Sequence, residues 1–88
     1  MAVLVSTTFG LDISVYDQLA AGLTDKVKAA PGFHVHCAYP VESGFAVSEI
    51  WDSAGAHQAF FDSLVKPNIP DGVPVEIKVT ELHNTIGL

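Results

Sequence analysis

The sequence predicts an α+β domain of order βαββαβ, the ferredoxin-like split βαβ arrangement, with two helices on one face of an antiparallel sheet. Three observations carry that expectation. Two stretches place apolar residues at helical spacing, and four others are apolar or alternate at strand spacing. The helical stretches follow only the first and third strands, so both fall on the same side of the sheet.

The elements follow in chain order. Ala2 to Thr8 reads as the first strand, with Val3, Val5 and Thr7 on one face and Leu4 on the other. Gly10 interrupts it, and Asp12 or Ser14 can cap a helix. In that helix Tyr16, Leu19, Ala20, Leu23, Val27 and Ala30 form one apolar stripe, ended by Pro31-Gly32. Phe33 to Tyr39 and Phe45 to Trp51 are the second and third strands, joined by the hairpin signal Pro40-Val41-Glu42-Ser43-Gly44. Asp52 or Ser53 caps a second helix running to about Val65, which the segment 66–72 stops. Val75 to His83 alternates as the last strand, with Val75, Ile77 and Val79 opposite Glu76, Lys78 and Thr80.

Composition narrows the function. The chain has 88 residues, 49% of them hydrophobic and 16% charged, which is the reverse of a disordered composition. We expect one domain over residues 1–88. So short a chain buries only about two-thirds of its unfolded surface. The sheet face opposite the helices would also be left bare, so a homodimer is expected. The net charge is −6, with four Lys and no Arg. No basic patch for nucleic acid or for a membrane surface can form from them. The N-terminus, Met1 to Ser6, has no cationic lead or long apolar run, so no signal peptide is read there. With Cys37 the single cysteine, no internal disulfide can form, and the chain is expected to be cytoplasmic. Without Arg there is no bidentate clamp for phosphate, and no Gly-rich loop precedes a helix. Phosphoryl transfer and nucleotide binding are set aside.

Which side chains meet depends on the hairpin register. Gly44 suits a left-handed position closing a three-residue loop Glu42-Ser43-Gly44, which would pair Val41 with Phe45. Phe33, Val35, Cys37, Tyr39, Phe45, Val47, Glu49 and Trp51 would then share one face. His34, His36, Ala38, Ala46, Ser48 and Ile50 would share the other. A two-residue turn on Ser43-Gly44 would instead bring the histidines over to Trp51.

Several residues on these faces could carry chemistry. Glu49 is a carboxylate in an apolar row; burial would raise its pKa toward general acid or base use, whereas exposure or a Lys partner would leave it ordinary. Trp51 stands where the third strand meets the second helix, either stacking on a planar ligand or packing the core. Phe33, Tyr39 and Phe60 would line the same cavity or serve as core. His83 keeps the parity of the apolar row in the last strand, and Asn84 beside it can donate and accept; both could equally cap the strand end. Thus Glu49, Trp51 and His83 are the expected catalytic residues, with Phe33, His36, Tyr39, Phe60 and Asn84 expected to bind substrate. His57 lies on the apolar side of the second helix, as a satisfied core histidine or as a donor to a cavity. His34-x-His36 has a metal-compatible spacing, but a third ligand from His57, Glu81 or His83 would have to converge, and no HExxH or CxxC motif is present. No metal is expected.

The blocks Pro31-Gly32-Phe33-His34-Val35-His36 and Gly44-Phe45-Ala46-Val47-Ser48-Glu49-Ile50-Trp51-Asp52-Ser53, followed by Phe60-Phe61 and Pro67, resemble the antibiotic-biosynthesis-monooxygenase-like proteins. The closing Glu81-Leu82-His83-Asn84 resembles the end of small members of that group. The resemblance implies a dimeric α/β barrel, in which two ferredoxin-like subunits pack sheet to sheet. It also implies a cavity walled by the tryptophan at Trp51. Haem-degrading members carry an Asn in strand one and a His late in helix two. Here those places hold Val5 to Thr8 and Leu64 to Pro67, so the resemblance does not extend to haem degradation. Quinone-forming members use an Arg that this chain lacks. The resemblance implies oxidation of an aromatic or polyketide-like substrate by O₂ with no cofactor. Cyclisation or isomerisation of such a substrate, and binding without catalysis, remain as alternatives.

Overall fold

The computed structural model describes residues 2–88 and has the α+β, ferredoxin-like order expected, β1 (Val3–Phe9), α1 (Ile13–Ala29), β2 (Phe33–Val41), β3 (Gly44–Trp51), α2 (Ala54–Phe60) and β4 (Val75–Glu81). Met1 lies outside the described residues. The sheet is antiparallel in the order β2-β3-β1-β4. Both helices start on side-chain caps. Asp12 accepts from the Ser14 backbone N–H at 3.1 Å, and Ser53 accepts from that of Ala56 at 3.1 Å. Past Phe60 the second helix widens into a π-helical turn, Phe61–Val65, and closes in a 3₁₀ turn, Lys66–Asn68. Phe60 and Phe61 are both buried there, one in each half of the core.

Odd-numbered residues of β1 and β3 face the helices. Val5, Phe45 and Trp51 are fully buried among them. The hairpin departs from the expected register. Its turn is Glu42-Ser43, so Val41 pairs with Gly44 and His36 with Glu49. Gly44 belongs to β3 rather than to the loop. A Cβ there would lie 2.1 Å from the Phe9 carbonyl oxygen and 2.7 Å from that of Leu11, so glycine is required by the close approach of the β1 backbone. The expected three-residue loop is thus corrected: Gly44 lies in the strand, where its φ of +151° and the contact with the Phe9 carbonyl both call for glycine.

A second irregularity completes the change. The β2–β3 register slips between Phe33 and Val35, a bulge at His34. Phe33 pairs with Trp51 on one side of it and His36 pairs with Glu49 on the other, so Phe33 and His36 both face the helices. Tyr39 moves to the opposite face, where it pairs with Ala46 and its hydroxyl lies 2.8 Å from Ser48 Oγ. That face has no helix over it. Across it runs the row Val35, Ile50, Leu4 and Thr80, with Val35 and Tyr39 exposed. Among the described residues no helix is long and apolar enough to cross a membrane.

Candidate active site

A cavity of about 400 Å³ lies between the helices and the helix-facing side of the sheet. Its wall is largely apolar: Leu19, Leu23 and Val27 from α1, Phe33 from β2, Phe45 and Val47 from β3, Phe60 from α2. Polar groups also line it: Tyr16, Thr24 and Lys28 from α1, His34 and His36 from β2, Thr7 from β1, Glu49 from β3 and His57 from α2. Apolar surroundings with a few convergent polar groups are the usual make-up of a small-molecule site.

Glu49 is the centre of the group formed with Tyr16, His36 and His57. It is buried, and Trp51 donates its indole N–H to Glu49 Oε1 at 3.1 Å. Indole can only donate, which leaves Oε1 as acceptor. The other oxygen, Oε2, lies 2.5 Å from His36 Nδ1. With the proton on Nδ1, His36 presents the lone pair of Nε2, and the Tyr16 hydroxyl donates to it at 2.6 Å. A continuous chain results, from Tyr16 O–H to His36 to the Glu49 carboxylate. This is the logic by which an acid fixes the tautomer of a catalytic histidine and supports its positive form. No Lys is needed, because two donors satisfy the carboxylate.

Burial pushes the Tyr16 phenol above its ordinary value, and the negative charge on Glu49 pushes it further. The phenol therefore keeps its proton at neutral pH and serves as a donor. His57 is shifted down, chiefly by burial, with the nearby Glu49 charge opposing. Its ring lies edge-on to Trp51 at 5.7 Å and stacks on Phe61 at 5.9 Å. Nε2 is 3.9 Å from Glu49 Oε1, and Nδ1 has no hydrogen-bond partner.

The expected site residues separate into three groups. Glu49, His36, Phe33 and Phe60 line the cavity. Trp51, fully buried, stands behind Glu49 rather than on the wall and holds the carboxylate from the rear. Tyr39, His83 and Asn84 lie elsewhere. Tyr39 is on the uncovered sheet face, and β4 ends at Glu81, so His83 and Asn84 lie exposed beyond the strand. Parity therefore does not carry His83 to the cavity. Tyr16 is missed by sequence reasoning, which counts it as one more apolar position of a helical stripe. The available signal is its hydroxyl, which must find a partner when the ring is partly buried. His34 pairs with Asp52 at 2.5 Å while His36 pairs with Glu49, so the two imidazoles serve different carboxylates. No group of three or more His, Cys, Asp or Glu among the described residues is arranged to hold a metal ion.

No protein-family model matches the chain, and no curated protein matches it. Solved structures do. The fold superposes on a candidate monooxygenase from Shewanella loihica with a TM-score of 0.64, at 14% identity over 96% of both chains. The haem degrader MhuD of Mycobacterium tuberculosis, solved with two haems in its active site, gives 0.63 at 18% identity over 97% of this chain and 99% of that one. A candidate antibiotic biosynthesis monooxygenase from Deinococcus radiodurans gives 0.61 at 18% identity, over 100% and 98%. The chain has the fold of the antibiotic-biosynthesis-monooxygenase-like proteins. At such identities the likeness extends to the fold and not to the chemistry.

Proposed function

We propose that this chain oxidises an electron-rich aromatic small molecule, of the phenol or anthrone type, with O₂ and without metal or flavin. The observation that supports this reading is the Tyr16–His36–Glu49 chain at the wall of a largely apolar cavity. Phe33, Phe45 and Phe60 would hold the ring by apolar burial and edge contacts. His36, kept in the acceptor tautomer by Glu49, would take the phenolic proton once substrate displaces the Tyr16 hydroxyl. Tyr16 would then donate to the developing oxygen anion.

The electron count needs no outside reductant. The enol of an anthrone loses its proton to His36, and the resulting anion passes electrons from its ring carbon to O₂ and forms a C–O bond to it. Protonation gives a hydroperoxide. Loss of water breaks the O–O bond and the remaining C–H bond on that carbon, leaving a carbonyl. One CH₂ and one O₂ become one C=O and one water, and the carbon supplies all four electrons.

Oxygen consumption with anthrone, measured beside an anaerobic control, tests the reading. One O₂ used per quinone formed, and no product without oxygen, is the expected result. Turnover that persists without oxygen would transfer the assignment to cyclisation or isomerisation. Tight aromatic binding without turnover would make the chain a binding protein.

A further inference from the structure

The cavity is drawn out along α1, and its two ends differ in charge. Tyr16, Leu19, Leu23, Val27 and Lys28 all lie on its wall. Their spacing is that of one helix face, so a single face lines the cavity from the first turn of α1 to the last. At about 1.5 Å of rise per residue, Tyr16 and Lys28 stand about 18 Å apart along the axis. A volume of about 400 Å³ spread over such a length is a slot, which suits a flat and elongated ligand. One end holds the Tyr16–His36–Glu49 chain. At the other, where the chain passes from α1 into β2, Thr24 and Lys28 meet His34.

At this second end Lys28 is the uncommitted group. The Thr24 hydroxyl donates to the Ala20 carbonyl at 2.7 Å, and His34 Nε2 lies 2.5 Å from Asp52 Oδ1. Lys28 stands in no ion pair among the described residues. It is also the one Lys on the cavity wall, in a chain with four Lys and no Arg. A charge suited to the helix end does not explain its place, since Lys26 shares the last turn of α1 and does not line the cavity. A lysine so placed lays its apolar stem along the wall and keeps its ammonium in water at the rim. The chain carries a net charge of −6, so no broad positive field gathers anions here. An anion would be held by contact with Lys28 itself.

We propose that the ligand of this cavity is an elongated aromatic acid, with its hydroxyl at His36 and a carboxylate at the opposite end paired with Lys28. This rests on the reading of the cavity as an aromatic site and adds a requirement on its ligand. The charge difference along the slot sets the direction of binding. A carboxylate at the inner end would lie beside that of Glu49, which already has His36 and Trp51 as partners and repels a second anion. At the outer end it meets an ammonium with three N–H donors. Anchoring the far end of the ring system also holds the reacting hydroxyl against His36.

The test is a binding panel of three compounds. In 6-hydroxy-2-naphthoic acid the two groups lie at opposite ends of the frame; its methyl ester lacks the charge, and 4-hydroxy-2-naphthoic acid carries both groups on one ring. The intact protein should bind the 6-hydroxy acid about five- to thirtyfold more tightly than either of the others. Lys28→Met keeps an apolar stem and removes the charge, so acid and ester should come within about twofold of each other, with the ester bound as before. Lys28→Arg should keep most of the preference. Raising the salt from about 0.02 M to about 0.5 M should weaken binding of the acid and leave that of the ester alone. Equal affinity for acid and ester, an acid preference that survives Lys28→Met, or a 4-hydroxy isomer bound as tightly as the 6-hydroxy acid overturns the inference while leaving the oxygenase reading intact. A Lys28-dependent preference without oxygen consumption from anthrone would overturn only the oxygenase reading. Failure of all three to bind overturns the inference alone where anthrone is still oxidised, and both readings where it is not.

Discussion

At the scale of single residues, Glu49 decides the chemistry of its neighbours. Glu49→Gln keeps the shape and still accepts from Trp51 through the amide oxygen, but it turns an NH₂ group toward His36 Nδ1. His36 must then move its proton to Nε2, and the nitrogen facing Tyr16 and the substrate ceases to be a base. On the proposed reaction, kcat for anthrone oxidation should fall by about 10²- to 10⁴-fold with the fold intact. Steady-state oxygen uptake and a circular dichroism melt check the two halves of that statement. His57 supplies a separate, pH-dependent prediction. Its native pKa lies below the usual 6.5 because burial opposes the charge. As pH falls through 6.5 the unfolded chain binds a proton there that the native chain refuses, so native stability declines in acid. Above 6.5 both states are neutral at this site and the effect vanishes. Urea denaturation from about pH 7.5 to about 5.5 should therefore show the intact protein losing stability relative to His57→Phe as the pH drops. Parallel curves would remove the assignment of a depressed pKa.

At the scale of elements, the β2–β3 hairpin is where the site is made. Gly44 allows the strand to press against Phe9 and Leu11, and the bulge at His34 turns both Phe33 and His36 inward. Gly44→Ala forces a Cβ into the β1 backbone, where no flexible side chain can give way. It should destabilise by about 3 kcal/mol or more. Gly22 is the control. It lies exposed within α1, where an added Cβ would meet nothing within 4 Å, so Gly22→Ala should stabilise by about 0.5–1 kcal/mol through helix propensity alone. Thermal or urea unfolding of the two variants reads both signs. The π-helical turn after α2 is a second device at this scale. Such turns are frequent at functional sites, and this one follows directly on the segment that carries His57.

At the scale of the whole molecule, the helices cover one face of the sheet and leave the other open. Val35, Ile50 and Leu4 form an apolar row across it, beside the hydroxyls of Ser6, Ser48 and Tyr39. We propose that a second copy of the chain covers this face, as the family resemblance implies. Sedimentation at micromolar concentration should then give a dimer, and Val35→Lys should shift it to monomer by placing a charge in the apolar row. A monomeric intact protein at that concentration would end the proposal.

What the sequence determined by itself was local. The helical stripe of α1, the caps at Asp12 and Ser53 and the alternation of Val75 to Val79 each arise from neighbours within a few residues, so element type and order were legible. The four-strand, two-helix layering followed from that order. The oddity of Glu49 among apolar residues was legible too. The placement of Tyr16, His36 and Tyr39 was decided only by the tertiary structure. A strand has a side-chain period of two, so one step of register exchanges its faces. That step was set by a contact between Gly44 and the backbone of Phe9, far back in the chain, and by a bulge with no glycine to announce it. His83 departs from its expected place for a related reason. Parity carries a side chain to a face only while the strand continues, and β4 stops at Glu81, where its pairing with Val3 of β1 comes to an end.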